Sequence, residues 1–90
     1  MNTNSERLMS VDVWERQKES VRRYRCLHSI ETDLWYVQST DFYRLPVSPE
    51  DTAPLDRQFI ELLIESHPSE RGHGYSSPTE AIDAHNSEFS

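Results

Sequence analysis

The sequence predicts an α+β fold, a small antiparallel meander of two or three strands followed by two helices packed on one face. Three observations lead there. Residues 21–30 and 34–42 are rich in valine, isoleucine, tyrosine, tryptophan and threonine, with charges interleaved. Three prolines within residues 46–54 break the chain after them. Beyond the break, Leu55, Phe59, Leu62 and Leu63 recur at helical spacing.

Residues 1–9 are polar apart from Met1, Leu8 and Met9, and are read as a disordered N-terminus; residues 10–90 form one domain. The segment 11–17 is ambiguous. As a strand turning at Lys18-Glu19, it sets Val13 against Tyr24 and Val11 against Cys26 on one face. On the other face Asp12 meets Arg25 and Trp14 meets Arg23, while Glu15 meets Arg22. Such cross-strand pairs are each worth roughly 0.2–1 kcal/mol. The rival is a helix over residues 10–22, where glutamate, arginine, glutamine and lysine are good helix formers.

A loop at Thr32-Asp33 makes residues 21–42 a hairpin. It sets Ile30 against Trp35, His28 against Val37, Cys26 against Ser39 and Tyr24 against Asp41. The second face then carries Arg23, Arg25, Leu27, Ser29, Tyr36, Gln38 and Thr40. One face is mainly apolar and the other mainly polar, as a sheet covered on one side requires. Residues 46–54 are a loop. A helix over residues 54–66 follows, capped by Asp51 or Thr52, with Ile60 and Ile64 widening its apolar face into the core. Gly72 and Gly74 lie in a turn, and Ser77-Pro78-Thr79-Glu80 reads as a capping box opening a second helix over residues 78–87.

Ninety residues support one modest core, burying roughly 64% of the unfolded surface, which leaves dimerisation through an uncovered face as an expectation. The net charge of −7 is uneven: residues 1–44 balance seven acids with seven bases, and residues 45–90 set nine acids against Arg57 and Arg71. Such a balance disfavours general binding to phosphate backbones or anionic membranes. Cys26 is the only cysteine, so no disulfide forms within the chain. The start resembles no signal peptide and no segment is apolar enough to span a bilayer, so the expected location is cytoplasmic.

Catalytic and metal signatures are weak. His67 and His73 flank a loop near Glu65 and Glu70, but their spacing matches no zinc pattern, so surface or capping roles are expected. Cys26 and His28 share a strand face, which is the arrangement of a thiolate–imidazolium pair, yet a buried core thiol is the simpler reading. Neither a phosphate-binding glycine loop nor a serine nucleophile elbow is present. No catalytic residue, metal site, cofactor or small-molecule substrate is inferred.

The most informative surface is the polar sheet face: Trp14, Arg23, Arg25, Tyr36 and Gln38. Tryptophan, tyrosine and arginine are the common anchors of protein interfaces. The expected function is therefore a non-enzymatic protein-interaction or regulatory module, with a protein partner or a second copy in a homodimer bound on this face. The alternative is a stacking platform for single-stranded nucleic acid on the same residues. A solvated face of cross-strand pairs is the plain reading of the same pattern.

Overall fold

The computed structural model describes residues 6–70 and 72–89. Three antiparallel strands form one sheet in the order β1-β2-β3: β1 Leu8–Arg16, β2 Ser20–Ser29 and β3 Trp35–Arg44. Helix α1 (Pro49–Glu65), a short 3-10 turn (Pro68–Glu70) and helix α2 (Pro78–Phe89) follow. The α+β class and the order of elements agree with the sequence reading.

The ambiguous segment is a strand. Gln17 N–H donates to the Ser20 carbonyl at 2.9 Å across the Lys18-Glu19 turn, and Val11, Asp12, Val13, Trp14 and Glu15 face Cys26, Arg25, Tyr24, Arg23 and Arg22 as expected. Pairing outweighs helix propensity here because it sets opposite charges together, with Arg22 3.8 Å from Glu15 and Arg23 3.9 Å from Asp12. Of the stretch expected to be disordered, residues 1–5 lie outside the described residues, whereas Leu8 and Met9 open β1.

The second hairpin departs from expectation twice. Its loop spans residues 30–33, closed by Ser29 N–H to the Leu34 carbonyl at 3.0 Å and Asp33 N–H to the Ser29 carbonyl at 2.8 Å. Asp33 sits at φ 59°, a left-handed conformation that aspartate tolerates. The register therefore slides by two: His28 faces Trp35 and Cys26 faces Val37. Ile30, expected inward, lies in the loop and is exposed. A bulge then follows. Val37 faces Cys26 but Ser39 faces Arg25, so Gln38 is the extra residue. Beyond it the parity of β3 reverses, bringing Thr40 opposite Tyr24 and Asp41 opposite Arg23. Opposite Arg23 the Asp41 carboxylate meets two guanidinium groups, those of Arg23 and Arg25.

The core belongs to the sheet. Tyr24, Cys26, Leu27, Tyr36 and Tyr43 are buried, joined by Ala81 of α2. Tyr24 and Cys26 point to one face; Arg25 and Leu27, their neighbours along β2, point to the other and are also buried. The two helices, expected on one face, divide between both. α2 packs on the Tyr24 side, where the Tyr24 hydroxyl donates to Asn86 Oδ1 at 3.2 Å and its ring meets His85 edge-on. α1 lies on the Arg25 side, reached by Asp56 and Phe59.

α1 begins at Pro49, well before the expected residue 54. Ser48 is its cap, Asp51 accepts the Ser48 N–H at 2.9 Å, Pro49 opens the first turn and Pro54 lies inside the helix. None of its residues is buried: Leu55, Phe59, Leu62 and Leu63 are partly covered, while Ile60 and Ile64 are exposed rather than part of a core. α2 opens as its motif requires, with Glu80 N–H donating to Ser77 Oγ at 3.2 Å. Among the described residues, no helix is long and apolar enough to cross a membrane.

Candidate functional site

Strand alternation puts Arg23 and Arg25 of β2 on one face, and the β1–β2 register brings Trp14 beside them. Arg23 lies against two neighbouring aromatic rings, its Cζ 5.3 Å from the Trp14 centroid and 5.5 Å from that of Tyr43, the two centroids being 6.2 Å apart. Because the bulge turns Asp41 to this face, its Oδ2 accepts from Arg23 Nε at 3.0 Å, Arg23 Nη2 at 2.7 Å and Arg25 Nε at 2.7 Å. Arg23 Nη2 also donates to the Tyr43 hydroxyl at 2.6 Å. From α1, Asp56 accepts from Arg25 Nη2, and the Phe59 ring lies 5.2 Å from the Arg25 guanidinium carbon. Burial works against the Arg25 charge, but the bonds to Asp41 and Asp56 outweigh it and raise the pKa, so the group stays cationic.

This face is not open as expected. Arg25, Tyr36 and Gln38 are buried, Arg23 is partly covered, and only Trp14 stands out, 51% exposed. α1 covers the Arg25 end. At the other end the segment after the 3-10 turn passes over Tyr36: a Cβ on Gly74 would stand 3.0 Å from the Tyr36 hydroxyl and 2.8 Å from Leu34 Cβ, so the close approach calls for glycine. His67 meets the Tyr36 ring edge-on, with centroids 6.1 Å apart. The face is covered because Arg25, Tyr36 and Leu27 offer α1 and this segment a surface as good as the apolar one. Gln38, the bulge residue, is 4% exposed and its Nε2 has no hydrogen-bond partner among the described residues.

Four residues of the cluster escaped sequence reasoning: Asp41, Tyr43, Asp56 and Phe59. The bulge reverses the parity that hid the first two, and it contains no glycine to announce it. One signal was available. The unbulged register put the Asp41 carboxylate on the apolar face, whereas a shift of parity sets it against both Arg23 and Arg25.

The remaining candidates are brought into other arrangements. Cys26 is fully buried, and burial, with a contribution from the Asp12 charge, pushes its thiol up to about 11. His28 pairs with Asp33 at 2.6 Å and stacks on Trp35 with centroids 4.2 Å apart. His67 Nε2 bonds the Glu6 carboxylate, and its Nδ1 lies 2.8 Å from Ser69 Oγ. That sequence of carboxylate, imidazole and hydroxyl resembles a hydrolytic relay. However, the Ser69 backbone N–H also donates to Nδ1, at 3.0 Å, which makes the contact a local turn cap. The Ser29 hydroxyl bond, more than the one to His67, holds the Glu6 carboxyl below its ordinary pKa. His73 is exposed, and among the described residues no group of three or more histidine, cysteine, aspartate or glutamate side chains is arranged for a metal ion.

The most accessible part of the cluster is its margin along β1, the first strand of the sheet. The Gln17–Ser20 and Arg7–Ile30 bonds fix which residues of β1 pair with β2. Met9, Val11, Val13 and Glu15 share that parity, so the N–H and C=O groups of Leu8, Ser10, Asp12, Trp14 and Arg16 point away from β2. Among the described residues no strand covers them. β3 is partly shielded at its own outer edge, where Trp35 and Tyr75 exchange bonds of 2.8 and 2.9 Å. No family model, curated protein or solved structure matches the chain.

Proposed function

We propose that the protein is a non-enzymatic protein-interaction module that associates with a second copy by joining the open edges of β1. The observation that carries this reading is the nine-residue edge strand, whose outward backbone groups lie beside the half-exposed Trp14. Unpaired edges are templates for another strand. Self-pairing on a two-fold axis through Trp14 sets Trp14 against Trp14 of the second copy, and Asp12 against Arg16 of the second copy on both sides. A register centred on Asp12 opposes two carboxylates instead and is disfavoured. Each backbone bond contributes about 0.5–1.5 kcal/mol net and the aromatic pair a similar amount, against a large cost of association, so the dimer is weak. The alternative of a nucleic-acid platform is less well supported, because Arg23 and Arg25 direct their donors at Asp41 and Asp56 and the face is covered.

Asp12→Pro tests the edge. The Asp12 N–H points away from β2, so proline removes an outward donor, a placement edge strands accept, together with the carboxylate 3.9 Å from Arg23. Sedimentation at about 100 µM, a range suited to weak association, is expected to show dimeric wild type and a folded, monomeric variant. A monomeric wild type, or an equally dimeric Asp12→Pro variant, contradicts the reading.

A further inference from the structure

α1 rests lightly on the sheet face it covers. None of its residues is buried, Ile64 is 80% exposed, and the connection that tethers it begins at Leu45, 87% exposed. α2, by contrast, buries Ala81. The radius of gyration, 14.1 Å, exceeds the roughly 12 Å of a tightly packed chain of this length.

The surface beneath α1 is organised without it. Asp41, buried between Arg23 and Arg25, fixes both guanidinium groups from within the sheet, and Trp14 and Tyr43 both contact Arg23. Two cations face one buried carboxylate; of the two exposed carboxylates that complete the cluster, Asp12 of β1 lies 3.9 Å from Arg23, and Asp56 of α1 lies 3.6 Å from Arg23 and is hydrogen-bonded to Arg25. Phe59, three residues on and hence on the same helical face, supplies the ring for Arg25. α1 as a whole is acidic, with Glu50, Asp51, Asp56, Glu61 and Glu65 against Arg57. Gln38, the bulge residue between Val37 and Ser39, has a buried amide donor without a hydrogen-bond partner among the described residues.

We propose that α1 is an exchangeable occupant of a helix-binding site, and that the external ligand is an acidic amphipathic helix of another protein carrying a carboxylate and an aromatic ring at positions i and i+3. α1 swings away on the exposed connection, and the incoming helix places its carboxylate on Arg23 and Arg25 and its ring on Arg25. This site is distinct from the β1 edge, and dimerisation is not required for it. The apparent affinity for an outside helix is the intrinsic affinity reduced by the fraction of molecules in which α1 is off, so weakening α1 strengthens capture.

The test uses the full chain and, as probe, a fluorescein-labelled peptide of residues 48–66, read by fluorescence anisotropy. Asp56→Asn/Phe59→Ala protein is expected to bind the peptide at least tenfold more tightly than wild type, and a peptide carrying the same two substitutions is expected to bind neither. Equal affinity for both proteins overturns the proposal, as does undiminished binding of the substituted peptide. A single-stranded oligonucleotide that displaces the labelled peptide at moderate salt overturns the choice of a protein ligand. A second measurement needs no variant. In wild type, α1 amides are expected to exchange with solvent at least tenfold faster than those of β2 with the sheet intact, and matching rates in the two elements would show that α1 does not open alone.

Discussion

Asp41→Asn removes one charge from the centre of the arginine cluster and leaves its shape almost unchanged. Asp41 is 5% exposed and receives three bonds of 2.7–3.0 Å from two guanidinium groups whose side chains are themselves 13% and 7% exposed. An amide offers one oxygen and no charge, so two covered cations lose their counter-ion. Breaking a buried pair by removing one partner costs about 3–5 kcal/mol. Asp56 contacts the same arginines but is 56% exposed, so Asp56→Asn falls in the surface range, about 0–1 kcal/mol after screening. A domain of this length has a total stability of roughly 5–13 kcal/mol, so the first substitution removes a large part of it and the second very little. Urea unfolding followed by tryptophan fluorescence separates them: with a slope of about 1–3 kcal/mol per molar urea, the Asp41→Asn midpoint falls by about 2 M. Equal midpoints for the two variants, or a loss below about 1 kcal/mol for Asp41→Asn, would refute the assignment of Asp41 as the buried counter-ion.

Further outcomes follow from individual groups. Gln38→Met replaces an orphaned buried amide with a side chain of similar length and is expected to stabilise the fold by about 1 kcal/mol in the same urea assay. Tyr24→Phe removes the hydroxyl shared by Arg22, Glu15 and Asn86 and is expected to cost about 1–2 kcal/mol, loosening α2 first by amide exchange. Cys26 is expected to resist Ellman's reagent at pH 8 in the fold and to react once urea unfolds it. Burial lowers the His85 pKa, so the unfolded chain takes up its proton first. Thermal stability should be flat above the ordinary histidine value of 6.5 and decline as pH falls below it. Glu6, held below its ordinary 4.5, removes a further increment when it protonates at still lower pH. A melting temperature that rises on acidification from pH 7 to pH 5 would contradict the His85 assignment.

Helix formers left residues 11–17 open between strand and helix; taken as a strand, its register was legible to the residue, because charge and ring pairs on β1 and β2 fit a two-residue turn at Lys18-Glu19. The second was legible only in its faces near the loop. A slide by two residues preserves side-chain parity, so Cys26 facing Val37 and Cys26 facing Ser39 look equally good on paper. The glycine-free bulge at Gln38 then inverted the rest of β3. Helix α1 shows a different limit. Ser48-Pro49 and Thr52-Ala53-Pro54 both carry start signals, and the earlier one holds because Asp51 closes on the Ser48 N–H. The face expected to be open is largely covered: Trp14, Arg23 and Arg25 lie together, but Arg25, Tyr36 and Gln38 form an inner layer. The second half of the chain brought its negative charge onto that face through Asp56, a pairing that charge asymmetry implied but local patterning did not locate.

The open edge of β1 is tested most directly by residue-resolved amide exchange in NMR at low and high protein concentration. Met9, Val11, Val13 and Glu15 donate within the sheet and should be protected at both. Asp12, Trp14 and Arg16 should exchange rapidly when the protein is dilute and become protected as concentration rises. Fast exchange of these three amides at every concentration would show that no second strand adds to β1.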